Sequence, residues 1–381
     1  MARTLTRVMA IESCNGRREG LFRYEIMVVS REFVKYAPGK NGKIQETGMK
    51  IYLCSAGFRR ILDVLQKHLP DDEVVECAPE QLTEVALDAE VLIPTLSPLG
   101  EAQLALPELK LVQQFGAGLD AVDIAAATRH GVYVANVPAA GTGNAESVAE
   151  LTLLHMLALA RQFLKTQEYL LKGQLAGPGG WTLKGRTAVI VGYGGIGREI
   201  ARRLQGFEMR VIAVSRSGPK TDRAGQPEDS DISLDAHYAR DGLHEALGEA
   251  DFVLLAPQLN DETRGLMGTR EFACLKPTSF VINVSRGGVI DYNALLLALK
   301  DKKIAGAGLD VFWQEPFDPQ DPLWQYNVIG TPHIGGATDL SYNGIAARVA
   351  ENIERIKCGE LPQHCVNAES VNLEGVNEAL N

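Results

Sequence analysis

TAVIVGYGGIGREIARRLQGFEMRVIAVSRS, residues 187–217, is the stretch of sequence that decides the fold. A largely apolar run leads into a turn with the pattern G-x-G-x-x-G, followed by an amphipathic helical run and a second apolar run. The turn contains Gly192, Gly194, Gly195, Ile196 and Gly197. In such a turn one glycine makes the bend, one lets the backbone approach a pyrophosphate, and one lets the helix pack on the strand. Because a helix N-terminus also attracts phosphate, the stretch predicts a dinucleotide-binding site.

The end of the second apolar run bears on the choice of dinucleotide. An NAD site usually has an acidic residue about 20 residues after the turn, where it accepts a hydrogen bond from the ribose 2′-OH. Here the run ends in Ser215, Arg216 and Ser217, without a carboxylate. Arg216 can form charge-assisted hydrogen bonds with a 2′-phosphate, aided by the two hydroxyls. NADP is therefore the expected cofactor, with NAD as the alternative if Arg216 is an ordinary exposed arginine.

Outside this stretch, short apolar runs alternate with helical ones along most of the chain. Such alternation is typical of parallel strands joined by crossover helices, so we expect an α/β fold. Further predicted strands are KIYLC at 50–54, VLIPT at 91–95, KLVQQF at 110–115, FVLLAP at 252–257, SFVINVS at 279–285 and KIAGAGLDVF at 303–312. Residues 145–172 contain no proline or glycine and predict one long helix, with another at about 338–358. The polar segment 217–242 is interpreted as a surface excursion.

Length and composition limit the classes of protein. A chain of 381 residues suggests about two domains, and its 45% hydrophobic and 23% charged residues are globular values. The net charge of −10 disfavours nucleic acid as a partner. No apolar run reaches the length of a membrane span. The six scattered cysteines predict neither a metal site nor disulfides, which fits a cytoplasmic protein.

Residues 1–48 differ from the rest of the chain, with nine Lys or Arg against five Asp or Glu. They are interpreted as a flexible N-terminal extension, because they lack the apolar run of a secretory signal. A targeting role is the alternative, although the acidic residues speak against a transit peptide.

Three polar residues follow predicted strands: Arg286 in INVSRGGVID, Glu315 in GLDVFWQEP and His333 in GTPHIGG. In parallel α/β sheets, ligands bind outside the carboxyl ends of the strands, where all three would lie. An arginine fork can grip the carboxylate of a 2-oxo acid. A histidine can protonate the alkoxide that hydride delivery creates, and a carboxylate can fix the histidine tautomer. The three residues therefore form a candidate catalytic set.

A single Arg, Glu or His is more often a solvated surface group than a catalytic one. Most of the other histidines are interpreted in that way; they are His68, His130, His155, His237, His244 and His364. His333 differs because it lies between Pro332 and a pair of glycines, in a rigid loop that suits a positioned side chain.

At these residues the sequence resembles the D-isomer-specific 2-hydroxyacid dehydrogenase family, over about residues 50–370. The family's motifs occur in order: GAGLD at 116–120, SVAEL at 147–151, VGYGGIG at 191–197, INVSRGGVID at 282–291, GLDVF at 308–312 and TPHIGG at 331–336. The resemblance implies that Arg286 binds the substrate carboxylate and carbonyl, and that His333 is the acid–base with Glu315 as its partner. It also implies that the backbone amides of Ala117 and Gly118 hold the carboxylate.

Further cofactor contacts are implied by the same resemblance. Gly195 and Ile196 would meet the pyrophosphate, Asp310 the nicotinamide carboxamide, and Ser285 would flank the nicotinamide, with Pro257 also among the cofactor-binding positions. No metal site is implied. The SRS sequence at 215–217 resembles that of the NADP-preferring glyoxylate/hydroxypyruvate reductases of the family.

The resemblance also implies an arrangement of domains. Two doubly wound parallel-sheet domains are expected, with a Rossmann cofactor domain (149–332) inserted into a flavodoxin-like substrate domain (49–148 and 333–372). Family members are typically homodimers built around the long helix.

The leading hypothesis is reduction of a small 2-oxo acid such as glyoxylate or hydroxypyruvate. The alternatives are NAD-linked oxidation of phosphoglycerate or another D-hydroxy acid, and a cofactor-sensing scaffold like the corepressors built on this fold. The three candidate catalytic residues do not exclude the scaffold, because such corepressors keep them.

Overall fold

The structure, a computed structural model, describes residues 48–55, 59–219 and 231–371. The interpretation of residues 1–48 as an extension therefore lies outside the described residues, apart from Gly48. Within the described ranges, no helix combines the length and the apolar character needed to cross a membrane.

Strands and helices alternate as the sequence predicts. The strands are β1 (Lys50–Leu53), β2 (Glu73–Glu76), β3 (Val91–Ile93), β4 (Leu111–Gln113), β5 (Tyr133–Ala135), β6 (Thr187–Val191), β7 (Arg210–Val214), β8 (Ala236–Tyr238), β9 (Phe252–Leu255), β10 (Phe280–Asn283), β11 (Gly306–Leu309) and β12 (Val328–Gly330). The helices are α1 (Arg59–His68), α2 (Leu82–Val85), α3 (Glu101–Leu104), α4 (Ile124–Arg129), α5 (Asn144–Ala160), α6 (Phe163–Leu171), α7 (Gly195–Gln205), α8 (Leu243–Glu249), α9 (Thr269–Cys274), α10 (Tyr292–Lys300) and α11 (Asp339–Lys357).

The strands form two sheets in which the neighbouring strands are parallel. The first has five strands in the order β2-β1-β3-β4-β5, and the second has seven in the order β12-β11-β10-β9-β6-β7-β8. The first order is that of flavodoxin, and the second contains the Rossmann order. Apolar cores lie on both faces of each sheet. The expectation of two parallel-sheet α/β domains is therefore confirmed.

The chain returns to the first sheet after completing the second. Ile345, Val349 and Ile353 of α11 belong to the same buried cluster as Ile51 of β1. A buried hydrogen bond of 2.8 Å from Asn352 Nδ2 to Gln113 Oε1 also ties α11 to β4. The switch point of each order, between β1 and β3 and between β6 and β9, is where such sheets bind ligands.

The prediction of one helix over 145–172 is wrong. Helix α5 ends at Ala160, Gln162 adopts a left-handed conformation with φ of 50°, and α6 begins at Phe163. The backbone N–H of Trp181 donates to the Ala160 carbonyl, and Gln162 Nε2 donates to the Gly179 carbonyl. A segment near residues 179–181 thus stabilises the break. This explains why the helical stretch can be interrupted without a glycine or proline at the break.

The interpretation of 217–242 as a surface excursion is incomplete. Residues 236–238 of this segment form β8, which pairs with β7 at the edge of the second sheet. A strand of three half-buried residues offers too little periodicity to be recognised in the sequence. Residues 220–230 lie outside the described part of the chain.

Candidate active site

The glycine turn between β6 and α7 is shaped by contacts that exclude side chains. A Cβ on Gly192, whose φ is 96°, would lie 2.5 Å from the backbone nitrogen of Pro257. A Cβ on Gly197 would lie 2.2 Å from the Gly192 carbonyl oxygen. At Gly194 a Cβ would meet nothing within 4 Å, so the space above the start of α7 is open. The turn is therefore closely packed at Gly192 and Gly197 and open at Gly194. The open side leaves room at the helix N-terminus, as a bound pyrophosphate requires.

A cavity of about 1020 Å³ runs along this turn. Its described lining includes Gly192, Gly194, Gly195, Ile196, Ser215, Arg216, Ser217, Pro257 and, at the other end, Ala117. Volume, shape and the open glycine turn fit a dinucleotide. Gly197 supports the turn from below.

The end of the cavity beyond β7 is polar. Ser215 Oγ donates to the Gly218 carbonyl at 3.1 Å and lies 2.9 Å from His237 Nε2. Arg216 and Ser217 are exposed. Among the described lining residues the carboxylate is that of Glu262, which is paired with Arg240. The edge strand β8 thus brings His237 into the lining of this cavity.

His333 and Glu315 are not among the described residues that line this cavity, but they contact each other directly. His333 Nδ1 lies 2.7 Å from Glu315 Oε2, and Glu315 Oε1 accepts a hydrogen bond from the Phe312 amide at 3.0 Å. Burial opposes ionisation of Glu315, but the hydrogen bond and charge of His333, with smaller contributions from Phe312 and Arg286, lower its pKa below the usual value. The pair can therefore hold a carboxylate beside an imidazole, with Nε2 of His333 facing away from the carboxylate.

Arg286 lies where a loop of the first sheet meets one of the second. Its Nε donates to Asp120 Oδ2 at 2.7 Å, and one terminal nitrogen donates to the Ser285 carbonyl. The other terminal nitrogen would lie 1.6 Å from a Cβ on Gly118. Gly118 therefore lacks a side chain because the guanidinium occupies that space. Two predicted substrate-binding residues are brought together, and Asp120 is an ion-pair partner that the sequence did not reveal.

Ala117 and Gly118 are held by their carbonyl oxygens. Asn136 Nδ2 donates to the Ala117 carbonyl at 2.7 Å. The amide of Gln114 donates to the carbonyls of Gly118 and Thr95, which joins the loops after β3 and β4. These hydrogen bonds fix the backbone from behind, and neither donor was among the predicted site residues.

Ser285 is buried beneath the loop that carries Arg286. Its backbone N–H and its hydroxyl both donate to Asn283 Oδ1, at 3.1 and 2.8 Å. Asn283 Nδ2 donates in turn to the Arg286 carbonyl at 2.9 Å. Asn283, at the end of β10, thereby determines the path of the chain into Arg286.

Asp310 is 2% exposed and lies directly beneath the loop of His333. Its Oδ1 accepts from the Thr331 hydroxyl and the Ile334 amide, and its Oδ2 accepts from the Gly335 amide, at 2.7 to 2.9 Å. Its backbone carbonyl accepts from the His333 amide at 2.8 Å. The structure thus brings Asp310 to the loop of His333, while its expected contact with a nicotinamide stays a prediction.

The interpretation of most other histidines as solvated surface groups does not hold for His155. It is 1% exposed on the inner face of α5, and its Nε2 lies 3.0 Å from Thr331 Oγ1. A histidine within an apolar helical run gives no sign in the sequence of which neighbour it meets.

Comparison with known proteins agrees with this geometry. Residues 153–335 match the family model described as D-isomer specific 2-hydroxyacid dehydrogenase, NAD binding domain. The chain is 37% identical over 339 residues to a glyoxylate reductase of Thermococcus gammatolerans, covering 85% of this chain and 98% of the relative. It is 34% identical over 300 residues to a D-3-phosphoglycerate dehydrogenase of Methanocaldococcus jannaschii, covering 77% of this chain and 54% of that protein.

A solved structure is also similar. An NADPH-dependent glyoxylate/hydroxypyruvate reductase from Sinorhizobium meliloti, in complex with NADP and malonate, superposes with a TM-score of 0.69 at 26% identity, covering 84% of this chain and 96% of that one. Since the fold, the ordered motifs and a relative matched over nearly its whole length agree, this chain belongs to the D-isomer-specific 2-hydroxyacid dehydrogenase family, whose members are oxidoreductases acting on CH–OH groups.

Proposed function

We propose that this protein reduces a small 2-oxo acid of the glyoxylate or hydroxypyruvate type to the D-hydroxy acid, with NADPH as the preferred cofactor. The observation that carries the proposal is the arrangement of Arg286, Glu315 and His333. An arginine against the bare backbone of Gly118 lies near a carboxylate–imidazole pair, and the charge of Arg286 reaches Glu315. This arrangement suits an anion whose carbonyl is to be protonated.

Each residue of the set has a proposed task. Arg286 binds the substrate carboxylate and carbonyl, assisted by the amides of Ala117 and Gly118. When bound, the reduced nicotinamide supplies a hydride to the carbonyl carbon. His333 donates a proton from Nε2 to the carbonyl oxygen, because Nδ1 is engaged with Glu315. Glu315 stabilises the charged imidazole before the proton leaves.

The same chain holds the cofactor along the cavity. In this proposal Gly194, Gly195 and Ile196 at the start of α7 meet the pyrophosphate, and Ser285, Asp310 and Pro257 serve the nicotinamide end. At the other end, Arg216 with Ser215 and Ser217 receives a 2′-phosphate. Support for this preference comes from an exposed guanidinium at that end, where the carboxylate of Glu262 is already paired.

A spectrophotometric assay at 340 nm tests the proposal. Purified protein is mixed with glyoxylate, hydroxypyruvate, pyruvate or 2-oxobutyrate, each with NADPH and then with NADH. Faster loss of NADPH, abolished in His333→Ala, is the expected result. Preference for NADH would refute the role of Arg216 and leave the reaction intact. Oxidation of 3-phosphoglycerate faster than any reduction would favour the second candidate, which the Methanocaldococcus relative suggests. Tight cofactor binding without turnover of any acid would favour the scaffold.

We further propose that two copies associate through α5 and α6. Large apolar side chains are exposed along these helices and just beyond them: Leu154, Leu157, Phe163, Leu164, Leu170, Leu171 and Leu175. Leu171 is 87% exposed, and so many exposed apolar side chains within one stretch of chain are typical of an interface. Sedimentation of the native protein as a dimer, and of Leu164→Glu/Leu171→Glu as a monomer, is expected. A native monomer would refute the proposal.

We also propose the domain boundaries and the compartment. Residues 49–148 with 333–372 would form the substrate domain and residues 149–332 the cofactor domain, because α11 shares its core with β1. A cytoplasmic location is proposed because the described cysteines Cys54, Cys77, Cys274, Cys358 and Cys365 are free thiols.

A further inference from the structure

A chain of three polar side chains runs from the middle of α5 to the catalytic loop. His155 Nε2 lies 3.0 Å from Thr331 Oγ1, and Thr331 Oγ1 lies 2.7 Å from Asp310 Oδ1. His155 and Asp310 are 1% and 2% exposed, and Thr331 between them is half-buried. Because the imidazole of His155 is buried, removing the Thr331 hydroxyl leaves its Nε2 without this hydrogen-bond partner.

The donors in this chain follow from counting protons. The Thr331 hydroxyl has a single proton and donates it to the carboxylate of Asp310. Its oxygen can therefore only accept from His155, which places the imidazole proton on Nε2. Nδ1 faces the backbone of Gly308, and burial lowers the pKa of His155, against the opposing effects of Asp310 and the Gly308 backbone, which favours the neutral ring. His155 is thus a neutral donor at the end of a directed chain.

The packing around His155 is specific. A Cβ on Gly308 of β11 would lie 2.7 Å from Nδ1 of His155 and 3.0 Å from its Cβ. The imidazole ring is therefore pressed against the bare backbone of the strand that leads to Asp310. This contact fixes the ring in the orientation that the hydrogen bond to Thr331 needs.

The far end of the chain determines the position of His333. Both oxygens of Asp310 accept hydrogen bonds from the loop, at Thr331, Ile334 and Gly335. His333 itself has a φ of 53°, a left-handed conformation that a residue other than glycine keeps only when its surroundings hold it there. A change in the orientation of Asp310 would therefore be felt at the imidazole of His333.

We infer that His155 is a positioning residue for catalysis: through Thr331 it orients the Asp310 carboxylate, and through Asp310 the loop that presents His333. The catalytic part of this inference rests on the proposed function. The mechanical part, that His155 holds the loop, does not.

Four variants separate the hydrogen bond from simple packing. His155→Leu and Thr331→Val remove a donor or a hydroxyl at similar volume, whereas His155→Gln and Thr331→Ser keep a group that can make the bond. We expect kcat to fall about 10-fold in each of the first two, with the KM for NADPH changed less than about twofold. The double variant His155→Leu/Thr331→Val should be no worse than Thr331→Val alone, because both act through one chain. The two conservative variants should restore most of kcat.

Hydrogen–deuterium exchange gives a readout that does not depend on turnover. The peptide covering residues 331–337 should exchange faster in His155→Leu than in the native protein, and at the native rate in His155→Gln. Unchanged exchange and unchanged kcat in His155→Leu, or independent and multiplicative effects in the double variant, would overturn the inference. If the native protein reduces no 2-oxo acid, the proposed function fails, but exchange still decides whether His155 holds the loop. If His155→Leu does not fold, Thr331→Val against Thr331→Ser, and His155→Gln, give the same decision.

Discussion

Around Arg286 and His333, two buried side chains, Asp310 and Asn283, each make several hydrogen bonds to the loops. Asp310 accepts three from the loop of His333, and Asn283 accepts two from Ser285 and donates one to Arg286. At the other end, Arg216 and Ser217 are exposed on the chain after β7. The proposed catalytic residues thus depend on loops that buried hydrogen bonds hold in place. The proposed recognition of the 2′-phosphate depends instead on the charge of an exposed side chain.

This difference implies that the two ends respond differently to substitution. A buried acceptor that is removed leaves its donors unsatisfied and unable to reach water. An exposed arginine that is removed leaves the fold intact and takes away only its own attraction for an anion. Substitutions at the first end should change kcat and stability, and those at the second end only the KM for one cofactor.

The largest effect is expected at His333. His333→Ala should lower kcat by about 10²- to 10⁴-fold, because general acid catalysis is lost. NADPH binding, followed by its fluorescence, should be unchanged. His68→Ala, a histidine of α1 in the other part of the fold, is the matched control and should retain full activity. A fall in kcat of less than about 10-fold in His333→Ala would contradict the proposed role of His333 as the general acid.

Next comes Asp310, which tests whether the catalytic end is held by buried hydrogen bonds. Asp310→Ala removes the acceptor of the Thr331 hydroxyl and of two backbone amides. The free energy of unfolding should therefore fall by about 2–4 kcal/mol. Chemical denaturation measures this, and kcat should fall with it. In Asp120→Ala the lost ion pair is exposed, so stability should fall by less than about 1 kcal/mol. Equal losses in the two variants would remove the distinction between buried and exposed support.

Arg216 provides the corresponding test at the other end. In Arg216→Ala the KM for NADPH should rise about 10- to 100-fold, the range that a hydrogen bond to a charged group provides. The KM for NADH and the melting temperature should stay near the native values. Arg270→Ala, another exposed arginine, is the control. An equal rise for both cofactors would show that Arg216 does not read the 2′-phosphate.

The smallest expected effect is the pH dependence contributed by Glu315. Its pKa is lowered in the fold, so its contribution to stability is complete above the ordinary glutamate pKa of about 4.3 and is lost as the pH falls through the lower folded value. The free energy of unfolding of the native protein and of Glu315→Gln should be measured by denaturation between pH 3 and 7. The two values should differ by about 1 kcal/mol at most at neutral pH and become equal at the acid end. Convergence at neutral pH instead would contradict a carboxylate that stays ionised during catalysis.

Local chemistry explains why much of the site is predictable from the sequence. The glycine turn, the SRS end of β7 and the positions of Arg286, Glu315 and His333 after strands follow from patterns within about ten residues of one another. The same patterns fail at Gln162, where the helix stops because Trp181 bonds to the Ala160 carbonyl. They fail again at β8, whose three residues become a strand only through pairing with β7.

The sequence by itself determined the alternating strands and helices, the dinucleotide turn and the family, because strand and helix periodicity and glycine geometry act over short distances. The tertiary structure decided what lies behind the catalytic residues. Asp120 meets Arg286 across 166 positions, and His155 meets Thr331 across 176. No local pattern encodes such pairs. The packing of α5 on the second sheet brings His155 to Thr331, and the approach of two loops brings Asp120 to Arg286.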